Sequence, residues 1–153
     1  VRFEASRLRG LNLSGGLLTD TRLMNCEAHE FNLCSACVMR MQIFDTPMSN
    51  ARFDGARLQD CVFQSADLYG ACFDDALLMH CRFSDPRMEN AGLNRASFQR
   101  AMLIDVDLRG ANLHGANFTD ALLVRVDLRE ANLVRAEMSG ATLIACDTTG
   151  SVR

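Results

Sequence analysis

The sequence repeats every five residues. Between Asp107 and Leu133 a large apolar residue recurs at every fifth position, and a small residue stands two positions before it. Helices repeat at about 3.6 residues and strands at 2.0, so neither element alone explains this period. A short period that persists along a chain is typical of a solenoid, in which each repeat forms one segment of a coil. The large positions of this stretch are Leu108, Leu113, Phe118, Leu123, Leu128 and Leu133.

The same frame extends to both ends of the chain without a slip. From Phe3 to Thr148, every fifth residue is large and apolar except Ala28 and Thr148 itself. Two residues after the large position, glycine, asparagine and aspartate are frequent, and these residues tolerate the positive φ that a type II turn requires. We therefore predict one short extended segment and one corner in every five residues. The large and small side chains point inward and the other three point outward.

This pattern resembles the A(D/N)LXX motif of the pentapeptide-repeat family. The segments ANLHG, ANFTD, ADLYG and ANLVR match it, and the resemblance covers essentially the whole chain. It implies an all-β fold, the right-handed quadrilateral β-helix, with four pentapeptides in each coil. The 153 residues then form about 7.5 coils. Residues one coil apart are expected to stack, as Phe63 on Phe83 and Phe53 on Phe73. Pro47 and Pro86, which lack an N–H, are each expected to leave one bond between coils missing.

Composition limits the class of protein. A net charge of -3 argues against a nucleic-acid binder that relies on a strong positive field, and no apolar run is long enough to span a membrane. We expect one domain, residues 1–153, and the absence of an initiator Met suggests a domain excised from a longer protein. Four of the seven cysteines occupy small inward positions, which indicates reduced thiols in a reducing compartment. These four are Cys26, Cys61, Cys81 and Cys146.

No arrangement typical of an enzyme, a cofactor site or a metal site is present. Cys34 and Cys37 form a C-x-x-C, the spacing of zinc and redox sites. However, the frame turns both outward beside one corner, and no second pair completes a tetrahedral site. Asp54 and Asp74 stack on one outer column, where we expect a solvated pair of carboxylates. The three histidines fall on different columns. We therefore expect no catalytic activity, no cofactor and no bound metal.

The candidate site is an apolar stripe where polar residues are expected. Ile104, Val124 and Ile144 occupy one outer column, and Met102 and Leu122 occupy the adjoining one. Phe44 and Met24 lie in the same row toward the N-terminus. A contiguous exposed apolar stripe indicates a contact surface, although β-branched residues also favour exposed strands. We predict that this stripe binds a protein partner, which makes the chain a non-enzymatic interaction module or rigid spacer.

The family resemblance implies further possibilities. Some members are domains of bacterial secreted effectors or secretion-associated proteins, which implies a bacterial cytoplasmic protein, delivered to another cell as part of a secreted chain. Others imitate duplex DNA and protect DNA gyrase by presenting acidic columns. Here one outer column holds Asp67, Asp107, Asp127 and Asp147, but Arg87 interrupts it and further arginines adjoin it. DNA mimicry is therefore the alternative function. Neither end carries a capping helix, so two chains could also form a homodimer by end-to-end stacking.

Overall fold

The structure, a computed structural model that describes all 153 residues, is a stack of four-sided coils without any helix. The expected quadrilateral β-helix is confirmed, with about seven turns. Each strand is three residues long, because the chain turns a corner every fifth residue. The strands are β1 (Arg2–Glu4), β2 (Leu17–Thr19), β3 (Arg22–Met24), β4 (Cys37–Met39), β5 (Gln42–Phe44), β6 (Arg57–Gln59), β7 (Val62–Gln64), β8 (Leu77–Met79), β9 (Arg82–Ser84), β10 (Met102–Ile104), β11 (Leu122–Val124) and β12 (Thr142–Ile144).

The strands form two parallel sheets on adjacent sides of the stack. The four successive pentapeptides of a coil form sides 1 to 4, counted from the first pentapeptide of the chain, and each side recurs once in every coil. Side 1 is an eight-stranded sheet in the order β1-β3-β5-β7-β9-β10-β11-β12, and side 4 contains the four-stranded sheet β2-β4-β6-β8. Sides 2 and 3 are joined by isolated parallel bridges, such as Arg87 to Asp107. Every residue that pairs between coils pairs with the residue four repeats further along the chain. Equivalent outward residues of successive coils therefore form columns along the rod.

The core is one cluster of 43 buried residues that fills the inside of the coils. Phe53 stacks on Phe73 with ring centroids 4.4 Å apart, and Phe63 stacks on Phe83 at 4.7 Å. These contacts confirm the predicted stacking of residues one coil apart. Burying each large side chain stabilises the fold by about 1.5–3 kcal/mol.

The corners share one backbone conformation although their residue types differ. Every fifth residue from Ala5 to Gly150 has a positive φ, and most of these residues are not glycine. Five of them are arginines, a residue type for which the left-handed conformation is unfavourable. Three of these corner arginines form bidentate bonds with the aspartate one coil below: Arg40 with Asp20, Arg95 with Asp75 and Arg125 with Asp105.

The two prolines differ in their effect on the hydrogen-bond ladder. Pro47 removes a bond that its column neighbours make, since Glu27 N–H donates to Ser6 and Asp67 N–H donates to Thr46. Pro86 removes none. The N–H groups of the residues stacked in its column, among them Ala66 and Val106, make no backbone hydrogen bond either. The expectation of a missing bond at Pro86 was therefore wrong.

Candidate functional site

The largest group of adjoining apolar residues on an outward face lies at the C-terminal end of side 1. We call Met102, Ile104, Leu122, Val124 and Ile144 the side-1 patch. Strand pairing places Met102 beside Leu122, Ile104 beside Val124, and Val124 beside Ile144. The first four side chains are half-buried by their neighbours, and Ile144 is 50% exposed. The patch therefore presents apolar groups to solvent on a backbone fixed by parallel pairing.

The apolar row does not continue to Phe44. Phe44 pairs with Gln64, which pairs with Ser84, and Ser84 pairs with Ile104. Two polar side chains thus separate the half-buried Phe44 from the side-1 patch. The structure brings five of the six predicted partner-binding residues together and leaves Phe44 outside the group.

Ion pairs flank the side-1 patch at both of its corners. On one corner Arg125 forms two bonds with Asp105, at 2.6 and 2.7 Å. On the other, Arg100 Nε lies 3.9 Å from Asp120 Oδ2. The hydrogen bond from Arg125 lowers the pKa of Asp105 below its ordinary value, so this carboxylate is ionised at neutral pH. The patch therefore has a charged rim in which positive and negative groups alternate.

The predicted acidic column on side 2 is neutralised by arginines. Arg87 bridges Asp67 and Glu89, with N–O distances of 3.5 and 3.1 Å. Arg109 lies 2.6 Å from Asp107 and 3.7 Å from Asp127. Each of these carboxylates thus has an arginine within ion-pair distance, which cancels much of the negative field that imitation of DNA would need.

The C-terminal part of this column shows the same balance. Arg129 contacts both Asp127 and Asp147. Its hydrogen bond lowers the pKa of Asp127, and hydrogen bonds from Thr149 lower the pKa of Asp147. The aspartates of this part of the column therefore form an ordered ion-pair network with the arginines of the adjoining column.

The C-x-x-C residues lie on different sides of the rod. Cys37 is exposed on side 4, whereas Cys34 is half-buried on side 3. The Cys34 thiol donates to Asp54, and so does Cys72 from the other side, with S–O distances of 3.2 and 3.0 Å. No three His, Cys, Asp or Glu side chains are grouped as metal ligands. All seven cysteines are free thiols.

The cluster around Asp54 shifts the ionisation of its members. Burial favours a raised pKa for Asp54, but hydrogen bonds from Cys72, Cys34 and Arg52 outweigh it and hold the pKa low. Burial and the bond to Asp54 raise the pKa of Cys72 to about 12, and the same two causes raise the pKa of Cys34. A protonated thiol is a poor nucleophile and metal ligand. The cluster therefore acts as a set of partly buried hydrogen bonds.

Sequence reasoning missed two features of the surface. The corner ion pairs were missed, although Asp105 and Arg125 stand one coil apart in the sequence and the coil length would have placed them together. Cys72 was not connected with Cys34, because the two thiols meet through a carboxylate on the coil between them.

The ends of the described chain expose parts of the core. At the C-terminal end Leu143, an inward residue, is 44% exposed, and Phe3 and Leu8 are only partly buried at the other end. End-to-end pairing of two chains stays a prediction. No helix with the length and apolarity of a membrane span is present.

Comparison with known proteins identifies the architecture. A family model described as "Pentapeptide repeat region" matches residues 56–133. Among solved structures, a trypsin-treated variant of QnrB1, a plasmid-mediated fluoroquinolone resistance protein, aligns with a TM-score of 0.57 and 20% identity over 99% of this chain and 72% of that one. Full-length QnrB1 aligns with a TM-score of 0.55 and 22% identity over 99% and 76%.

A third solved structure is HetL, a pentapeptide repeat protein involved in heterocyst differentiation regulation in the cyanobacterium Nostoc sp. strain PCC 7120. It aligns with a TM-score of 0.32 and 21% identity, over 99% of this chain and 86% of that one. No curated protein matches the sequence. At these identities the likeness to QnrB1 shows the fold alone. None of these neighbours is described as a secreted effector, so that assignment stays a prediction.

Proposed function

Because the chain belongs to the pentapeptide repeat family, we propose that it is a non-enzymatic protein-binding rod whose contact surface is the side-1 patch. The observation that carries the proposal is the arrangement of five apolar side chains in register on the outer face of β10, β11 and β12.

The physical argument for binding rests on exposure and rigidity. When a partner covers apolar surface that was in contact with water, binding is favoured by about 25 cal/mol per Å² of surface covered. The patch lies on parallel strands about 4.8 Å apart, so its side chains are held in place before binding. A preorganised surface costs little conformational entropy when it is covered. The charged rim fits the usual anatomy of an interface, in which polar groups surround an apolar centre.

The experiment compares two matched valines. Val124 is half-buried in the side-1 patch, and Val134 is half-buried on the outer face of side 3. Val124→Asp is expected to abolish binding, whereas Val134→Asp is expected to retain it, and both chains should keep the wild-type circular dichroism spectrum. The wild-type chain and both variants are immobilised and exposed to lysate of the source cell, and the retained proteins are quantified by mass spectrometry. A folded Val124→Asp chain that retains the same proteins as wild type would contradict the proposal.

A supercoiling assay distinguishes the proposed function from the alternative, DNA mimicry. The arginines of side 2 pair with the carboxylates of the acidic column, so the proposed function predicts that the chain leaves the activity of DNA gyrase unchanged. A concentration-dependent effect that disappears in Asp127→Asn would favour the alternative instead.

A further inference from the structure

We infer that the partner of the side-1 patch is a second copy of this chain, packed side by side, parallel and in register. This inference rests on the proposed function and names the partner of the same surface. The arrangement has a two-fold axis parallel to the rod, between two facing copies of side 1. Such an axis places one corner of side 1 opposite the other corner of the second copy, at the same coil level.

The charges at the two corners of side 1 are complementary under this operation. At successive levels, Arg100 of one copy faces Asp105 of the other, and Asp120 faces Arg125. Toward the N-terminus, Arg40 faces Asp45. At the remaining levels at most one of the two facing residues is charged. These levels pair residues 20 with 25, 60 with 65, 80 with 85 and 140 with 145.

The complementarity is intermolecular. Arg100 pairs within its own chain with Asp120, and Asp105 pairs with Arg125. Arg100 and Asp105 occupy opposite corners of side 1 and form no ion pair within the chain. The internal pairs explain why the charge alternates along each corner, but they do not determine which sign stands across the sheet from which. The two corners alternate in opposite phase, as the two-fold axis requires.

The apolar residues are also matched. The same two-fold axis sets the outer column of Met102 and Leu122 against the column of Ile104 and Val124 in the other copy. Further toward the N-terminus, Arg22 faces Met24, Gln42 faces Phe44 and Arg82 faces Ser84. No level of the facing strands brings two like charges together. The apolar contact is concentrated in the side-1 patch, and polar contacts extend along the rest of the face.

An antiparallel dimer makes a shorter contact. If the rods are reversed about the point midway between β10 and β11, Arg100 faces Asp120 and Asp105 faces Arg125, so the charges match, but only β9 to β12 of each copy overlap. If the contact is centred on Val124 instead, Arg125 faces Arg125 and Asp120 faces Asp120, and like charges at an interface cost several kcal/mol. The parallel arrangement brings all eight strands of side 1 together without a like-charge pair, and its longer contact favours it.

The contact area indicates a weak dimer. Eight strands about 4.8 Å apart make a face about 38 Å long, but it is only one short strand wide. Such a face is smaller than the roughly 800 Å² per partner of a standard interface. We expect a dissociation constant on the order of 10–100 µM, within the range of weak and transient contacts.

Sedimentation velocity over about 5–500 µM tests the inference. Wild type and Val134→Asp should shift from monomer to dimer, and Val124→Asp should stay monomeric. Arg100→Glu and Asp105→Arg should each raise the dissociation constant at least about five-fold, roughly 1 kcal/mol. Each variant breaks an internal pair as well as an intermolecular one. The double variant restores only the intermolecular pair, so its dissociation constant should return to within about two-fold of wild type.

The outcomes separate this inference from the proposed function. A wild-type chain that stays monomeric overturns the inference, as does dimerisation that Val124→Asp leaves intact or that the double variant fails to restore. The proposed function survives those results if a different protein binds wild type and not Val124→Asp. It fails if Val124→Asp changes neither self-association nor the capture of other proteins.

Discussion

Phe73→Leu tests whether the aromatic stacks stabilise the rod as the structure implies. Phe73 is fully buried, stacks on Phe53 at 4.4 Å and meets Phe63 edge-on at 6.2 Å. Each aromatic pair contributes about 0.5–1.5 kcal/mol beyond the burial of its area. Leucine fills the same type of position elsewhere in the frame, so the main loss is the two aromatic contacts. We expect the free energy of unfolding to fall by about 2 kcal/mol.

Phe118→Leu is the matched control. Phe118 is also fully buried but has one aromatic contact, the stack on Phe98 at 4.9 Å. Its replacement should cost about 1 kcal/mol. Unfolding in guanidinium chloride, followed by circular dichroism and by the fluorescence of Tyr69, measures both losses. Agreement of the two signals checks that the repeats unfold together. A Phe73→Leu chain that is no less stable than Phe118→Leu would refute the aromatic contribution.

Three further predictions concern two of the cysteines and Asp54. At pH 8 iodoacetamide should label the exposed Cys37 before Cys72, as read by peptide mass spectrometry; faster labelling of Cys72 would contradict its raised pKa. Because that pKa is raised to about 12, the stabilising effect of the Cys72 thiol is complete below about pH 8.5 and is lost as the pH rises. Cys72→Ala should therefore reduce the fall in melting temperature between about pH 9 and 11, and an unchanged fall would contradict this. The pKa of Asp54 is lowered, so its contribution is present above about pH 4 and lost below it. Asp54→Asn should reduce the fall in melting temperature as the pH is lowered. A fall as large as that of wild type would contradict the stabilising role of the hydrogen bonds to Asp54.

The fold could be predicted from the sequence because one physical rule repeats at every position. A residue such as Leu103 must be inward if every fifth residue is inward, and a coil of four repeats places it beside Leu123. The stacking of Phe63 on Phe83 followed from the same count. The five residues of the side-1 patch were found for this reason, since alternation in a strand determines which residues point outward.

Other features could not be read from the repeat. The frame places Arg125 at a corner and one coil from Asp105, but it does not show that the two side chains bond to each other instead of extending into solvent. Thr21 and Thr46 are polar residues that the frame places in the core, and their hydroxyls bond to backbone carbonyls. Pro86 was misjudged because the motif does not show which N–H groups the corners leave unpaired.

The most direct test of the central claim, that the side-1 patch binds a second copy in register, is site-specific cross-linking. Met102→Cys and Ile104→Cys chains, each with Cys37→Ser, are mixed in equal amounts and treated with a short bismaleimide. We predict a dominant cross-link between position 102 of one chain and position 104 of the other, because the two-fold axis sets these columns opposite each other. Mixtures that carry Val124→Asp should give none. The absence of the 102–104 cross-link, or its persistence in Val124→Asp, would contradict the account.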